Sequence, residues 1–298
     1  MRNRIPLLAG LVWAAAAGLA QADTPRIAVI SAFEPEWQIL KSKVEGADET
    51  LINGNRFVTG TLEGKPVVLF LSGVSMVNAA MNTQLALDRF EITALVFSGI
   101  AGGVDPELEV GDVVVAENWG QYLDSIFARE TLEGYVIPPF LSSDFPNYDM
   151  MIPRNQEVTS ARQPEVETRF WFPVDAALLD TARKVAAELT LNGCDDTGAC
   201  LRKVPKIVVG GNGVSGAAFV DNADFRAYAF QTFDARVLDM ESAAVAHVAY
   251  VNEVPFIAFR SLSDLAGGGD DGNELPIFFQ LAADNAAGVV TSFLKALP

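Results

Sequence analysis

Short apolar runs alternate along this chain with stretches in which apolar residues recur every three or four positions. Residues Arg26–Ser31 (RIAVIS) form an apolar run of strand length. Residues 56–63 alternate, and Lys65–Leu71 (KPVVLFL) follows after Glu63-Gly64, the pattern of a hairpin. Residues 75–90 carry apolar positions at helical spacing. Residues 93–98 (TALVFS) predict another buried strand, ending at a glycine-rich turn, Gly99-Ile100-Ala101-Gly102-Gly103. Further strands are predicted at 112–116, 206–210 and 255–260 (PFIAFR), and helices at 176–191, 241–251 and 276–297. Strands alternating with helices imply a largely parallel sheet covered on both faces. The expected fold is therefore α/β: a single-domain, three-layer α/β/α sandwich around a mixed, largely parallel sheet, spanning residues 23–298.

The stretch at about 122–173 breaks this rhythm. It holds Pro138, Pro139, Pro146, Pro153, Pro164 and Pro173, several aromatics and no clear period. It reads as a long excursion from the one domain, and loops of such length usually carry function or act as lids.

The N-terminus departs from the pattern in another way. Arg2 and Arg4 precede an almost unbroken apolar run from residue 5 to 19, and Ala20-Gln21-Ala22 has the small-x-small form that signal peptidases cut after. Residues 1–22 are expected to be a secretory signal peptide, with a short membrane anchor as the alternative. Export to the periplasm or the exterior would let Cys194 and Cys200 oxidise. They flank a turn-rich stretch, CDDTGAC, and are expected to close a small disulfide loop.

Composition narrows the chemistry. Half of the 298 residues are hydrophobic, enough for a sizeable core. The net charge of −17 argues against nucleic acid as a partner, since such binding needs a basic stripe to displace counterions. One histidine and two cysteines cannot supply a Cys/His zinc site, and no metal or cofactor is expected. The same shortage weakens Ser-His-Asp and Cys-His mechanisms, because His247 would have to serve in either. His247 lies six positions after Glu241 on a predicted helix, which turns it away from that carboxylate; a packing role is expected. Acid/base chemistry must then come from Asp and Glu.

In open α/β sheets ligands bind at the carboxyl ends of the strands. There the first strand runs into Glu34-Pro35-Glu36, another ends in Leu238-Asp239-Met240-Glu241, and the 255–260 strand ends in Arg260-Ser261-Leu262-Ser263-Asp264. Three carboxylates and an arginine would converge on one rim. Each also has a plainer reading: Glu34, Glu36 and Glu241 as first-turn residues favoured by a helix dipole, Asp264 as a turn residue, and the 99–103 glycines as the means to a tight turn.

Residues 237–268 (VLDMESAAVAHVAYVNEVPFIAFRSLSDLAGG) closely resemble the signature of the nucleoside phosphorylase/nucleosidase superfamily. Within it the chain looks most like the 5′-methylthioadenosine/S-adenosylhomocysteine nucleosidases: VFSGIAGG, LEVGDVVVA and SGAAFV follow in the expected order. It is also similar to plant bark and vegetative storage proteins, which share the secretory signal, FVDN, DMESAAVA and SDLAGGG. The resemblance implies cleavage of the C1′–N9 bond of a purine nucleoside through an oxocarbenium-like sugar. It implies Asp264 as the general acid at N7, Glu36 as the group that activates water, and Glu241 as the ribose-binding carboxylate beside Met240. Phe219 would stack on the base, the Val220 backbone would read its edge, and Arg260 would lie near the nucleophile. Ser263, Gly99, Ala101 and Gly102 complete the expected substrate-binding set. A homodimer is expected, because relatives are often dimers that complete each other's pockets.

Phosphorylases of this superfamily hold phosphate with arginines, one of them at the place of Phe97 here. Their other phosphate loop corresponds to Glu34-Pro35-Glu36, whose carboxylates would repel a phosphate dianion. Water is therefore the expected nucleophile; phosphorolysis is the alternative, and a non-catalytic binding or storage protein is the second. Ile100 stands where the nucleosidases usually place a serine, and Ala217 where they usually have Asp.

Overall fold

In the computed structural model of the chain, residues 24–195, 198–268 and 272–298 are described. The expected signal peptide, residues 1–22, lies outside them. Twelve of the described strands form one sheet. They are β1 (Arg26–Ser31), β2 (Glu45–Ile52), β3 (Asn55–Leu62), β4 (Lys65–Leu71), β5 (Ile92–Gly103), β6 (Val113–Val115), β7 (Asn118–Gln121), β8 (Trp171–Pro173), β9 (Ile207–Val209), β10 (Asn212–Ser215), β11 (Ala235–Asp239) and β12 (Phe256–Asp264).

The centre of the sheet is parallel: β1 lies between β4 and β5, and β12 runs along the other side of β5. These are the most apolar runs of the sequence because they are covered on both faces. The edges are less regular. A β2-β3-β4 meander closes one side. On the other, β11 runs antiparallel to the end of β5, followed by β10, β7 and β8. Helices α1 (Glu34–Lys41), α3 (Ala176–Glu188) and α6 (Leu275–Ala296) pack together, with α6 over β5 and β12. Helices α2 (Met76–Arg89) and α5 (Ser242–Val251) pack against each other, with α5 over β7, β8, β10 and β12; α4 (Ala223–Phe233) lies on β11. This is the expected three-layer α/β/α arrangement.

Three local expectations change. The segment 99–103 is not a turn: β5 continues through it, paired with β12 as far as Gly102 and with β11 at Gly102 and Gly103. The strand predicted at 255–260 likewise runs on to Asp264, all nine of its residues buried, including the polar SLSD end. Polar residues hid this continuation because they face a site rather than solvent. Strand β2 carried no apolar period at all, since it is an exposed edge strand.

The excursion folds into short antiparallel pairs, Ser125–Phe127 with Met151–Pro153, Arg129–Thr131 with Gly134–Val136, and Gln156–Val158 with Glu167–Arg169. Its last strand, β8, joins the main sheet. Its aromatics pack with one another and with α4: Phe145 lies 4.4 Å from Phe170, whose ring stacks 5.3 Å from Phe233. Such clusters arise across loops, so they leave no period in the sequence.

Cys194 and Cys200 are disulfide-bonded. Just ahead of the loop they close, Asn192 is tied to α6 through the buried Asn285, with which it exchanges two hydrogen bonds of 3.0 Å. His247 stacks on Phe172 at 4.3 Å, with Gln121 Nε2 3.1 Å from its Nδ1. Burial holds its pKa below the usual histidine value. No described helix is long and apolar enough to cross a membrane.

Candidate active site

The carboxyl ends of β1, β5, β11 and β12 surround a cavity of about 240 Å³. Glu36, Glu241 and Asp264 all line it, although they come from α1, the β11–α5 junction and the end of β12. Met240, Phe219, Val220, Arg260, Ser263, Ala101 and Gly102 are lining residues too. Gly99 is not; it stands behind the wall. A Cβ there would lie 2.3 Å from Arg260 Nη1 and 3.0 Å from Glu36 Oε1. The glycine admits two charged side chains against the backbone, and it does so without a left-handed φ. Most of the remaining wall is apolar, formed by Phe33, Val74, Ile100, Leu238 and Leu275 among others. Phe219 stands at the mouth, 61 % exposed, with its ring left uncovered by the fold itself.

Each acid is held by a different device. Glu36 faces inward from the first turn of α1, where Oε2 accepts from the Ala32 N–H at 2.9 Å and Oε1 from the Ile100 N–H at 2.8 Å. These bonds fix its carboxylate between β1 and β5. Burial pushes its pKa above the ordinary carboxylate range, against the pull of Arg260 and the backbone donors.

Glu241 occupies the N-cap position of α5, but its side chain does not cap that helix. Asp239 does: its Oδ1 lies 3.2 Å from Glu241 N and 3.1 Å from Ser242 N, satisfying donors that the first turn leaves free. Glu241 is thereby released to reach across, and its Oε1 accepts from Ser75 N at 2.8 Å. Ser75 heads α2 with φ 81° and ψ 160°, a conformation that non-glycine residues adopt only under constraint.

Arg260 is fully buried and connects these groups. Its Nε is 2.7 Å from Asp239 Oδ2 and 2.9 Å from Ser242 Oγ, and its Nη2 is 3.5 Å from Glu241 Oε2. Its guanidinium lies 4.0 Å over the Phe97 ring. Ser215 Oγ donates to Asp239 Oδ1 and accepts from Ala243 N, extending the network to β10. Two buried carboxylates thus share one guanidinium, whose charge also acts on Glu36. Burial, reinforced by Asp239 and Glu36 and opposed by Arg260 and the Ser75 N–H, raises the Glu241 pKa to about 7.

Asp264 is the third acid, 3 % exposed. Its Oδ1 accepts from Ala266 N at 2.8 Å and its Oδ2 from Ser263 Oγ at 3.0 Å. Burial is the main force raising its pKa, and the nearby Asp221 adds to it. A carboxyl whose pKa is raised inside a largely apolar cavity is better suited to act as a general acid.

Sequence reading placed the three acids, Arg260 and the aromatic mouth. It did not single out Asp239, Ser215, Ser242 or Ser75. Asp239 had a visible signal, an acidic residue three positions ahead of the first helical residue, Ser242, where negative charge meets the helix N-terminus. Ser75 had none, because its partner is 166 residues away.

A sequence profile described as the phosphorylase superfamily matches residues 26–295. The 5′-methylthioadenosine/S-adenosylhomocysteine nucleosidase of Geobacillus kaustophilus is 31% identical over 276 residues, covering 91% of this chain and 97% of its own. Among solved structures, the nucleosidase of that specificity from Colwellia psychrerythraea, in complex with adenine, is 27% identical with a TM-score of 0.68, covering 92% of this chain and 96% of its own. The Neisseria meningitidis enzyme in complex with methylthio-immucillin-A is 26% identical with a TM-score of 0.67, covering 91% and 99%. Similarity of this extent, over a cavity built as described, makes the chain a member of the phosphorylase superfamily, related along nearly its whole described length to 5′-methylthioadenosine/S-adenosylhomocysteine nucleosidases.

Proposed function

We propose that this protein is a purine nucleosidase that hydrolyses the N-glycosidic bond of an adenine-type nucleoside, in the methylthioadenosine, adenosylhomocysteine or adenosine class. The observation that carries this reading is the convergence of Glu36, Glu241 and Asp264, from three separate segments, on one cavity lined by Phe219 and Met240. In this reading Asp264 protonates N7 of the base, which lets the C1′–N9 electron pair leave with the purine. The sugar becomes oxocarbenium-like. Buried carboxylates held in advance stabilise that positive charge strongly, because they need no reorganisation in a dry site. Glu36 takes a proton from water as its oxygen bonds C1′. Glu241 accepts from the ribose hydroxyls, Met240 packs on the sugar, and Phe219 and the Val220 backbone hold the base.

Water is favoured over phosphate by the surroundings of the nucleophile. Phe97 is buried beneath Arg260, whose charge is shared by Asp239 and Glu241. A phosphate dianion would meet the Glu36 carboxylate where an arginine would be needed. The test is release of free adenine from methylthioadenosine and adenosine, followed by reverse-phase chromatography with and without phosphate. Phosphate-independent release is expected, and Asp264→Asn should slow it by about 10²–10⁴-fold. Turnover that requires phosphate would make the enzyme a phosphorylase. A folded protein that releases no base from any nucleoside would be a binding or storage protein.

Two further parts of the proposal concern assembly and location. Val74, Val77 and Met81 are exposed apolar residues beside the cavity mouth and along one face of α2, a surface suited to a second copy. Light scattering should return twice the chain mass. Export of the chain follows from residues 1–22 and fits the Cys194–Cys200 disulfide. Protein recovered from the periplasm or medium should begin at Asp23.

A further inference from the structure

Asp264 does not stand alone at the end of β12. The turn that follows it is joined to two other segments. Asn222 N donates to Ala266 O at 3.1 Å, and Gly267 passes so close to residues 221 and 222 that a Cβ there would lie 2.3 Å from Asn222 N. From the start of α6, the Asn273 side chain donates to Asp221 Oδ1 at 3.1 Å, beside the Asp264 carboxyl, whose ionised form it favours. Its own Oδ1 accepts from Leu275 N at 3.0 Å. One amide therefore ties the segment that carries Phe219 and Val220 to the helix that brings Leu275 to the cavity wall, and that segment in turn holds Ala266, whose N–H donates to the acid.

We propose that Asn273 and Asp221 are positioning residues for Asp264, a latch that holds the acid against the base-covering segment and sets the pH range over which it can donate. The inference rests on the nucleosidase reading above for the role of Asp264, but the latch itself rests on these contacts.

The two residues act in opposite directions. An amide donor stabilises the ionised form of Asp264, whereas a second carboxylate stabilises the protonated form. The other charged groups around the acid are already engaged or lie across the cavity. Arg226 on α4 packs against Gly268 and donates to the carbonyls of Gly103 and Asp105. Arg260 is committed to Asp239 and Glu241. Glu36 and Glu241 line the facing part of the wall, and Glu274 heads α6 beside Asn273.

The experiment compares pH profiles of kcat/KM for methylthioadenosine hydrolysis in the full chain and in Asp221→Asn and Asn273→Ala. The alkaline limb reports loss of the proton from the acid. It should move to lower pH in D221N, which removes the like charge. It should move to higher pH in N273A, which removes the donor, with kcat reduced by up to about 100-fold as the acid loses its alignment. A purely structural latch would lower activity in both variants without shifting the limbs in opposite senses. Unmoved limbs, or limbs that move the same way in natively folded variants, would overturn the proposal. If N273A does not fold, D221N decides alone. A second readout needs no turnover: titration of the Asp264 carboxyl by ¹³C NMR in aspartate-labelled protein, assigned with Asp264→Asn, should show the same opposed shifts. If the wild type releases no base, the nucleosidase reading falls and this titration still judges the latch.

Discussion

At the scale of single residues, the site is governed by how much negative charge can be buried around one guanidinium. Arg260 neutralises part of the Asp239–Glu241–Glu36 cluster, and backbone N–H groups from Ala32, Ile100 and Ser75 contribute the rest of the stabilisation. Asp264, outside that cluster, is raised by burial and by Asp221, and within the cluster burial prevails and raises the pKa of Glu36 and Glu241. The raised value at Glu241 has a thermodynamic consequence. Glu241 has an ordinary value of 4.5 and one of about 7 in the folded protein, so the native state holds its proton more tightly than the unfolded chain. Its contribution to stability is fully present below pH 4.5 and is lost as pH rises through about 7. Urea denaturation midpoints should decline across this window. Glu241→Gln keeps the shape without the charge and should flatten the decline. An identical slope in both proteins would show that Glu241 does not carry the buried proton. In the proposed mechanism Glu36 accepts a proton and Asp264 donates one, so activity is expected to follow a bell-shaped pH profile.

At the scale of elements, the site depends on strands that outlast their apolar runs. Strand β5 continues through Gly99-Ile100-Ala101-Gly102-Gly103, and β12 continues to Asp264. Apolar periodicity located both strands but stopped where their composition turned polar or small. The glycines suggested a turn, whereas the structure uses Gly99 for close approach. Gly99→Ala tests that distinction. A turn glycine without left-handed geometry would tolerate a methyl group; here the methyl would collide with Arg260 and Glu36. Overpacking of this kind typically costs about 1–3 kcal/mol. We expect a loss of that size in chemical denaturation, together with a large fall in base release as Glu36 is displaced. Helix α5 offers the complementary case: Asp239 caps it, which frees Glu241 from helix duty for the cavity.

At the scale of the whole molecule, one sheet gathers groups that are far apart in the chain, and the insertions are fastened onto it. The excursion ends as β8 in the main sheet, and the chain just ahead of the Cys194–Cys200 loop is pinned to α6 through Asn192 and Asn285. Closing so short a loop removes relatively little chain entropy, about 2 kcal/mol in the chain-entropy account. Reduction, or replacement of both cysteines by serine, should therefore lower the stability by about this amount in calorimetry while leaving a folded protein. Complete unfolding would mean that the disulfide does more than close a short loop.

The sequence by itself determined the layer architecture, because buried parallel strands and amphipathic helices leave distinct periods. Its strand ends also contained Glu36, Glu241, Arg260 and Asp264, and its motifs resembled those of a family that uses such residues. The acidic composition removed nucleic acid as an expected partner. Only the tertiary structure decided which groups act on which. The Ser75 N–H on Glu241, the sharing of Arg260 between two carboxylates, and the Asn273 hydrogen bond to Asp221 beside Asp264 all join segments distant in the chain. Local periodicity reports the face a residue turns toward the core. It carries no information about the partner that residue meets there, and in this site the partners set the charge, the proton and the geometry.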